Sequence, residues 1–238
     1  MNTIKSTHRS TSVSPVIDTN QTRIEIGFPT KEGWVESPAL YTDRSLRIAG
    51  HPVMESWESG YMTMLAEIST RNGGKVLEVG YGMGISARAI QATRRAQSHV
   101  VIEAHPGVAK RMLEDFSSRI EERHIHLLTG FWQDITPLLA DESFEGILFD
   151  TYPLTQEEIH ANHFWFFKEA HRLLKPGGIL TYYSDEVNDF SAKHLAKLHE
   201  AGFSDIGGQV CAVKPPKHCE YWQDDTILAP IVRKSAAA

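Results

Sequence analysis

From Val53 to Ile68 the apolar residues Val53, Trp57, Tyr61, Met64, Leu65 and Ile68 recur at the spacing of one helical face, which predicts an amphipathic helix leading into the core. Beyond it the pattern changes. Short apolar runs at Lys75 to Val79, Val100 to Glu103, Ile125 to Leu128, Gly146 to Asp150 and Gly178 to Tyr183 are separated by helical stretches. That alternation predicts a parallel α/β sheet with helices on both faces. Phe164 to Leu174 reads as a helix stopped by Lys175-Pro176-Gly177-Gly178, because proline cannot continue it and glycine supplies the turn. Two more strands are expected at Gln209 to Val213 and Thr226 to Val232, and no internal repeat is visible.

Length and composition narrow the class. The 238 residues, 41% hydrophobic and 23% charged with a net charge of -6, fit one globular α/β domain with an N-terminal extension. The basic residues are dispersed among more numerous acids, so nucleic acid is a poor partner. No apolar run is long enough to span a bilayer, and the first twenty residues lack the apolar segment of a signal peptide, so no membrane partner is expected. Only Cys211 and Cys219 occur, giving neither a disulfide framework nor a zinc pair, and a cytoplasmic setting is the default. Residues 1–26 read as a mobile tail. The assembly is left open, a homodimer included.

The sharpest local signal is Val76 to Gly84, an apolar strand running into Gly80-Tyr81-Gly82-Met83-Gly84 and then a helix starting near Ile85. Glycines there let the backbone turn tightly and approach a nucleotide-like ligand closely. Glu103 closes the next strand, close to the roughly 20-residue spacing at which an acid grips ribose hydroxyls. A dinucleotide fingerprint would need a small residue at Ile85, so NAD and a dehydrogenase are disfavoured. The spacing GxGxG, with Glu78 just before it, suits S-adenosylmethionine, which has no phosphates and uses the loop to cradle its amino-acid part. The plain alternative is a structural strand-turn-helix without a ligand.

Ligands of open α/β sheets sit beyond the carboxyl ends of the strands, which singles out Asp150, with Pro153 stiffening the chain after it. Its structural alternative is a capping role. His160 and His163 sit at helical spacing but lack an acid to complete a ligand set, so no metal is expected and both read as solvated.

Taken together, His51 to Met62, Glu78 to Gly84, Ile102-Glu103, Gly130 to Asp134, Gly146 to Leu154 and Arg172 to Tyr182 resemble the guanidinoacetate N-methyltransferase family. The resemblance runs from about Trp34 to Val232, including Pro215-Pro216 and Cys219 to Trp222. It implies a Rossmann-like class I methyltransferase fold, a mostly parallel sheet with an antiparallel C-terminal hairpin. Residues 27–72 would be a helical cap contributing to the active site, and residues 73–238 the core. The implied cofactor is S-adenosylmethionine, held by Trp34, Met54, Met62, Gly80, Tyr81, Gly82, Met83, Gly84, Ile85, Ser86, Glu103, Ala104, Trp132 and Gln133. The implied substrate is a small guanidino compound, guanidinoacetate or a relative such as free arginine. Glu58 and Asp150 would hold its guanidino group, with Tyr152, Asp185 and Glu186 also on the substrate.

A guanidinium is planar, charged and not nucleophilic, so paired acids must orient one nitrogen and remove its proton. Asp150 is assigned as base and Glu58 as clamp. The chain departs from the family after Tyr183, where Ser184-Asp185-Glu186-Val187 replaces a loop beginning Asn-Leu-Thr whose amides bind the substrate carboxylate. Two acids facing a carboxylate would repel it. The other reading turns both side chains to solvent and leaves their amides to bind. Methylation of arginine within a protein, or cofactor binding without catalysis, are the competing functions. The first would want docking modules that this sequence lacks. The second would be expected to lose Asp150 or Glu58.

Overall fold

The computed structural model describes residues 24–121 and 124–236. Of the tail expected at 1–26, all but residues 24–26 lies outside the described residues, and those three are helical.

Seven strands form one sheet in the order β6-β5-β4-β7-β8-β10-β9. They are β4 (Gly74–Val79), β5 (Ala96–Glu103), β6 (Ile125–Thr129), β7 (Phe144–Phe149), β8 (Leu174–Tyr182), β9 (Asp205–Ala212) and β10 (Thr226–Arg233). The first five strands pair in parallel, while β10 runs antiparallel to both β8 and β9. This is the predicted α/β architecture, a mostly parallel sheet closed by an antiparallel hairpin. Helices α3 (Ile85–Thr93), α4 (Pro106–Asp115), α7 (Asn162–Leu173) and α8 (Ala192–Glu200) cover it, with short α5 (Ser117–Glu121) and α6 (Trp132–Ile135) between strands. The central strands are continuously buried over their last four residues, as parallel strands covered on both faces must be.

Residues 27–72 are less helical than expected. Helix α1 (Lys31–Glu36) is followed by an antiparallel sheet of β1 (Ala39–Tyr41), β2 (Ser45–Ile48) and β3 (His51–Glu55), and only then by α2 (Ser59–Ser69). The predicted helix therefore begins late. Pro52 and β-branched Val53 favour extended backbone, and a reciprocal cap between Glu55 and Glu58 starts the helical turns at Ser56. Helix α2 then behaves as predicted, with Tyr61, Met62, Leu65 and Ile68 fully buried. The Tyr61 hydroxyl donates to the Leu228 carbonyl at 3.0 Å, tying α2 to the sheet.

The run Lys175 to Gly178 is no loop. Helix α7 passes directly into β8, and the proline and glycines fall inside that strand, where its pairing with β7 shifts register between Phe144 and Gly146. No helix among the described residues is long and apolar enough to cross a membrane.

Candidate functional site

Gly80 follows β4 with φ +94°, and a Cβ there would stand 1.9 Å from the Asp150 carbonyl oxygen. Only glycine lets the ends of β4 and β7 approach so closely, with Asp150 N donating to the Val79 carbonyl at 2.9 Å. At the other end of the turn, Gly84 has φ +69° and begins α3, and a Cβ there would fall 2.4 Å from the Tyr81 hydroxyl. Glu78 lies beneath this turn. It accepts the Ser86 hydroxyl and faces His99 Nε2 at 2.8 Å, fastening α3 to the sheet.

Above the turn, at the carboxyl ends of the strands, is a cavity of about 300 Å³. Gly80, Gly82, Met54, Glu103, Ala104, Trp132 and Gln133 line it together with Glu58, Asp150, Tyr152 and Asp185. Trp34 also lines it, stacked on Tyr152 at 5.1 Å, while the Tyr152 hydroxyl meets His51 Nδ1 at 3.0 Å. The Glu103 carboxylate accepts backbone N–H groups, from Tyr81 at 2.9 Å and from His105 at 2.7 Å, with the Gly82 and Ala104 amides also turned to it.

Other expected contacts are not brought to the cavity. Met62 is fully buried in the core against the sheet, and Met83 and Ile85 pack on that same cluster. The Tyr81 ring turns toward Phe116 and its hydroxyl donates to Asp115 at 2.7 Å. Ser86 is spent on Glu78, and Gly84 shapes the turn without lining the cavity. Tyr81, Met83 and Gly84 shape the turn that carries Gly80 and Gly82, while the side chains of Met62, Tyr81, Met83, Ile85 and Ser86 pack elsewhere.

Glu58 and Asp150 both line the cavity. Glu58 is only 2% exposed, and its Oε1 accepts both the Glu55 N–H at 2.7 Å and the Tyr221 hydroxyl. Burial, then the nearby Asp150 charge, pushes Glu58 up to about 8. Burial likewise raises Asp150, with Asp185 and Glu78 adding to it, to about 7. Asp185 lines the cavity at φ +56° and faces His160 Nδ1 at 2.8 Å. Glu186 does not line it. Its carboxylate takes the Ser191 N–H at 3.0 Å and meets His194 Nδ1 at 3.1 Å, while its own amide donates to Ser184 Oγ at 3.1 Å.

Of the two histidines read as solvated, His163 is instead fully buried among aromatic rings, which lowers it to about 3. His160 keeps over a third of its side chain exposed while also lining the cavity. Tyr221, His160 and Tyr183 are cavity residues that sequence reasoning missed. Tyr221 alone carried a signal, lying within the Cys219 to Trp222 match.

Against known families the chain matches guanidinoacetate N-methyltransferase over residues 23–235. The chain belongs to this family. Its members are S-adenosylmethionine-dependent methyltransferases. Among curated relatives, protein arginine N-methyltransferase 2 of Aspergillus oryzae is 34% identical over 232 residues, 90% of this chain and 55% of the relative. The Saccharomyces cerevisiae protein of the same name is 31% identical over 140 residues, 56% of this chain and 32% of the relative. The chain thus spans from about a third to just over half the length of these relatives. Of solved structures, a spermidine synthase bound to the transition-state analogue AdoDATO superposes with TM-score 0.60 at 14% identity, covering 84% of this chain and 74% of that one. Methanocaldococcal TYW2 (M. jannaschii) with AdoMet gives 0.54 at 12% identity, covering 83% and 84%. These two likenesses show the fold alone.

The cavity suits the family's cofactor. Gly80 and Gly82 put bare backbone on its wall, Glu103 sets a carboxylate beside them, and the Trp132 ring, set edge-on to Phe149 and Phe166, offers an apolar wall.

Proposed function

We propose that this protein transfers a methyl group from S-adenosylmethionine to a guanidino nitrogen of a small cationic compound. The observation that carries the reading is a pair of carboxylates, the buried Glu58 and the half-buried Asp150, lining the same cavity as the glycine turn and Glu103. Gly80, Gly82, Glu103, Ala104, Trp132 and Gln133 would hold the cofactor, which when bound supplies an electrophilic methyl group. Replacing Glu103 by alanine should then weaken S-adenosylhomocysteine binding about tenfold or more, the scale of a lost hydrogen bond to a charged acceptor. Calorimetry giving equal affinities would remove Glu103 from that role.

The protein's own part is to grip, orient and deprotonate. Glu58 is fixed through Oε1 and serves as clamp. Asp150, held near neutrality, takes the proton from the nitrogen to be methylated. An arriving guanidinium stabilises both ionised acids, offsetting the cost of their burial. Five acids line the cavity, namely Glu58, Glu103, Asp150, Glu158 and Asp185, against Lys31 and His160, a balance that favours a positively charged ligand.

The far end of the substrate follows from Asp185. Its carboxylate borders the cavity, and the Glu186 amide is already spent on Ser184, so a bare carboxylate finds repulsion where an amine finds a partner. Free arginine and agmatine should therefore exceed guanidinoacetate in kcat/KM. Asp185→Asn keeps a residue tolerant of the left-handed backbone while removing the charge, and should erode that preference about tenfold. A parent that prefers guanidinoacetate, with a ranking unmoved in Asp185→Asn, would overturn the amine assignment. The relatives' name favours a second reading, arginine within a protein. An arginine-containing peptide in the same panel, methylated better than any free guanidine, would establish it instead.

A further inference from the structure

One buried polar atom at the cavity has no part in the chemistry above. Tyr183 follows β8 and lines the cavity with its ring edge-on to Tyr61, centroids 5.3 Å apart. Its hydroxyl oxygen is buried and without a hydrogen-bond partner among the described residues. A buried polar group left unpaired costs stability, and phenylalanine would make the same ring contact without that cost. The hydroxyl therefore calls for a partner that the protein does not supply.

The guanidino end of the site supplies the reason. Burial first, then Glu58, Asp185, Tyr61 and Asp150, holds this phenol well above its ordinary range, so it stays protonated beside the acid pair. A monoalkyl guanidinium carries five N–H donors. Two carboxylates in two-pronged contacts accept four at most, and Glu58 Oε1 already takes two protein donors. At least one guanidino N–H is left over. A phenol oxygen accepts while its own O–H donates, so it can serve that N–H and a carboxylate together.

We infer that Tyr183 is a substrate contact whose hydroxyl oxygen accepts a guanidino N–H that Glu58 and Asp150 leave unpaired, thereby fixing which nitrogen faces Asp150. The inference rests on the guanidine reading of the site. It makes Tyr183 a third point of attachment, and three points define the plane of the guanidinium where two would let it pivot.

The test is calorimetric. L-arginine, agmatine and guanidinoacetate are titrated into parent and Tyr183→Phe protein saturated with S-adenosylhomocysteine, alongside thermal melts. The tightest guanidine should lose about tenfold to a hundredfold in affinity in the variant, the usual loss for a hydrogen bond to a charged group. S-adenosylhomocysteine affinity should not change, and Tm should hold or rise because an unpaired hydroxyl is gone. Unchanged guanidine affinity overturns the inference, as does a fall in Tm together with cofactor affinity, which marks a structural tyrosine. A parent that binds none of the three overturns it as well. If guanidine binding depends on Tyr183 but labelled cofactor gives no methylated product, the proposed reaction fails and the contact stands.

Discussion

Replacing Asp150 by asparagine should cost at least about a hundredfold in turnover, the usual scale for removing a general base, while S-adenosylhomocysteine affinity stays nearly that of the parent. The amide keeps the volume of the carboxylate and can still meet a guanidine, but it cannot accept its proton. Burial with Asp185 and Glu78 nearby holds the Asp150 carboxyl at about 7. Clamp and base both work ionised, so kcat/KM in the parent should fall as pH drops through about 8 and again through about 7, where Glu58 and then Asp150 take up protons, and the step near 7 should vanish in Asp150→Asn. Rate and cofactor affinity falling together would put Asp150 in the cofactor site. A step near 7 that persists in the variant would remove Asp150 from the role of base.

Gly80→Ala should be among the most damaging small substitutions in the chain. Its Cβ would lie 1.9 Å from the Asp150 carbonyl oxygen, and both atoms belong to backbone at the ends of paired strands, where no side chain can swing away. With φ at +94° adding strain of its own, a loss of about 2–4 kcal/mol is expected, read as a lowered Tm and as loss of S-adenosylhomocysteine binding. Gly177 provides the control. It has φ +79° but nothing within 4 Å of an added Cβ, so Gly177→Ala should show only the backbone term, about 1 kcal/mol, with binding intact. Equal effects at the two glycines would mean that the approach of β4 to β7 matters no more than the turn itself.

The regular parts of this fold were legible because their signals are local. Buried parallel strands read as apolar runs, and the glycine turn, Glu103 and Asp150 sit where strands end, a position that topology alone makes functional. The misreadings share a cause. Val53 to Glu55 begins an apolar spacing that suits a helix, yet it belongs to a strand paired with its neighbour, and pairing is decided by partners the periodicity does not contain. Met62, Ser86 and Tyr81 occupy loop and helix positions next to or near lining residues in sequence while their side chains pack elsewhere, a difference that one dimension does not carry. Asp185 and Glu186 are adjacent acids, and only the three-dimensional loop separates them, one onto the cavity wall and the other onto Ser191 and His194.

The bond from Tyr221 to Glu58 joins residues 163 positions apart, the first from the segment before β10 and the second from the turn before α2. During synthesis, Glu58 leaves the ribosome long before the tyrosine that fixes its carboxylate. At about 5–20 residues per second, this interval lasts roughly 10–30 seconds, during which the strands from β4 to β8 are already made but the clamp is not. The residues of the glycine turn are therefore made well before the acid beside them can be fixed, and the cavity wall is complete only once the segment before β10 has been added.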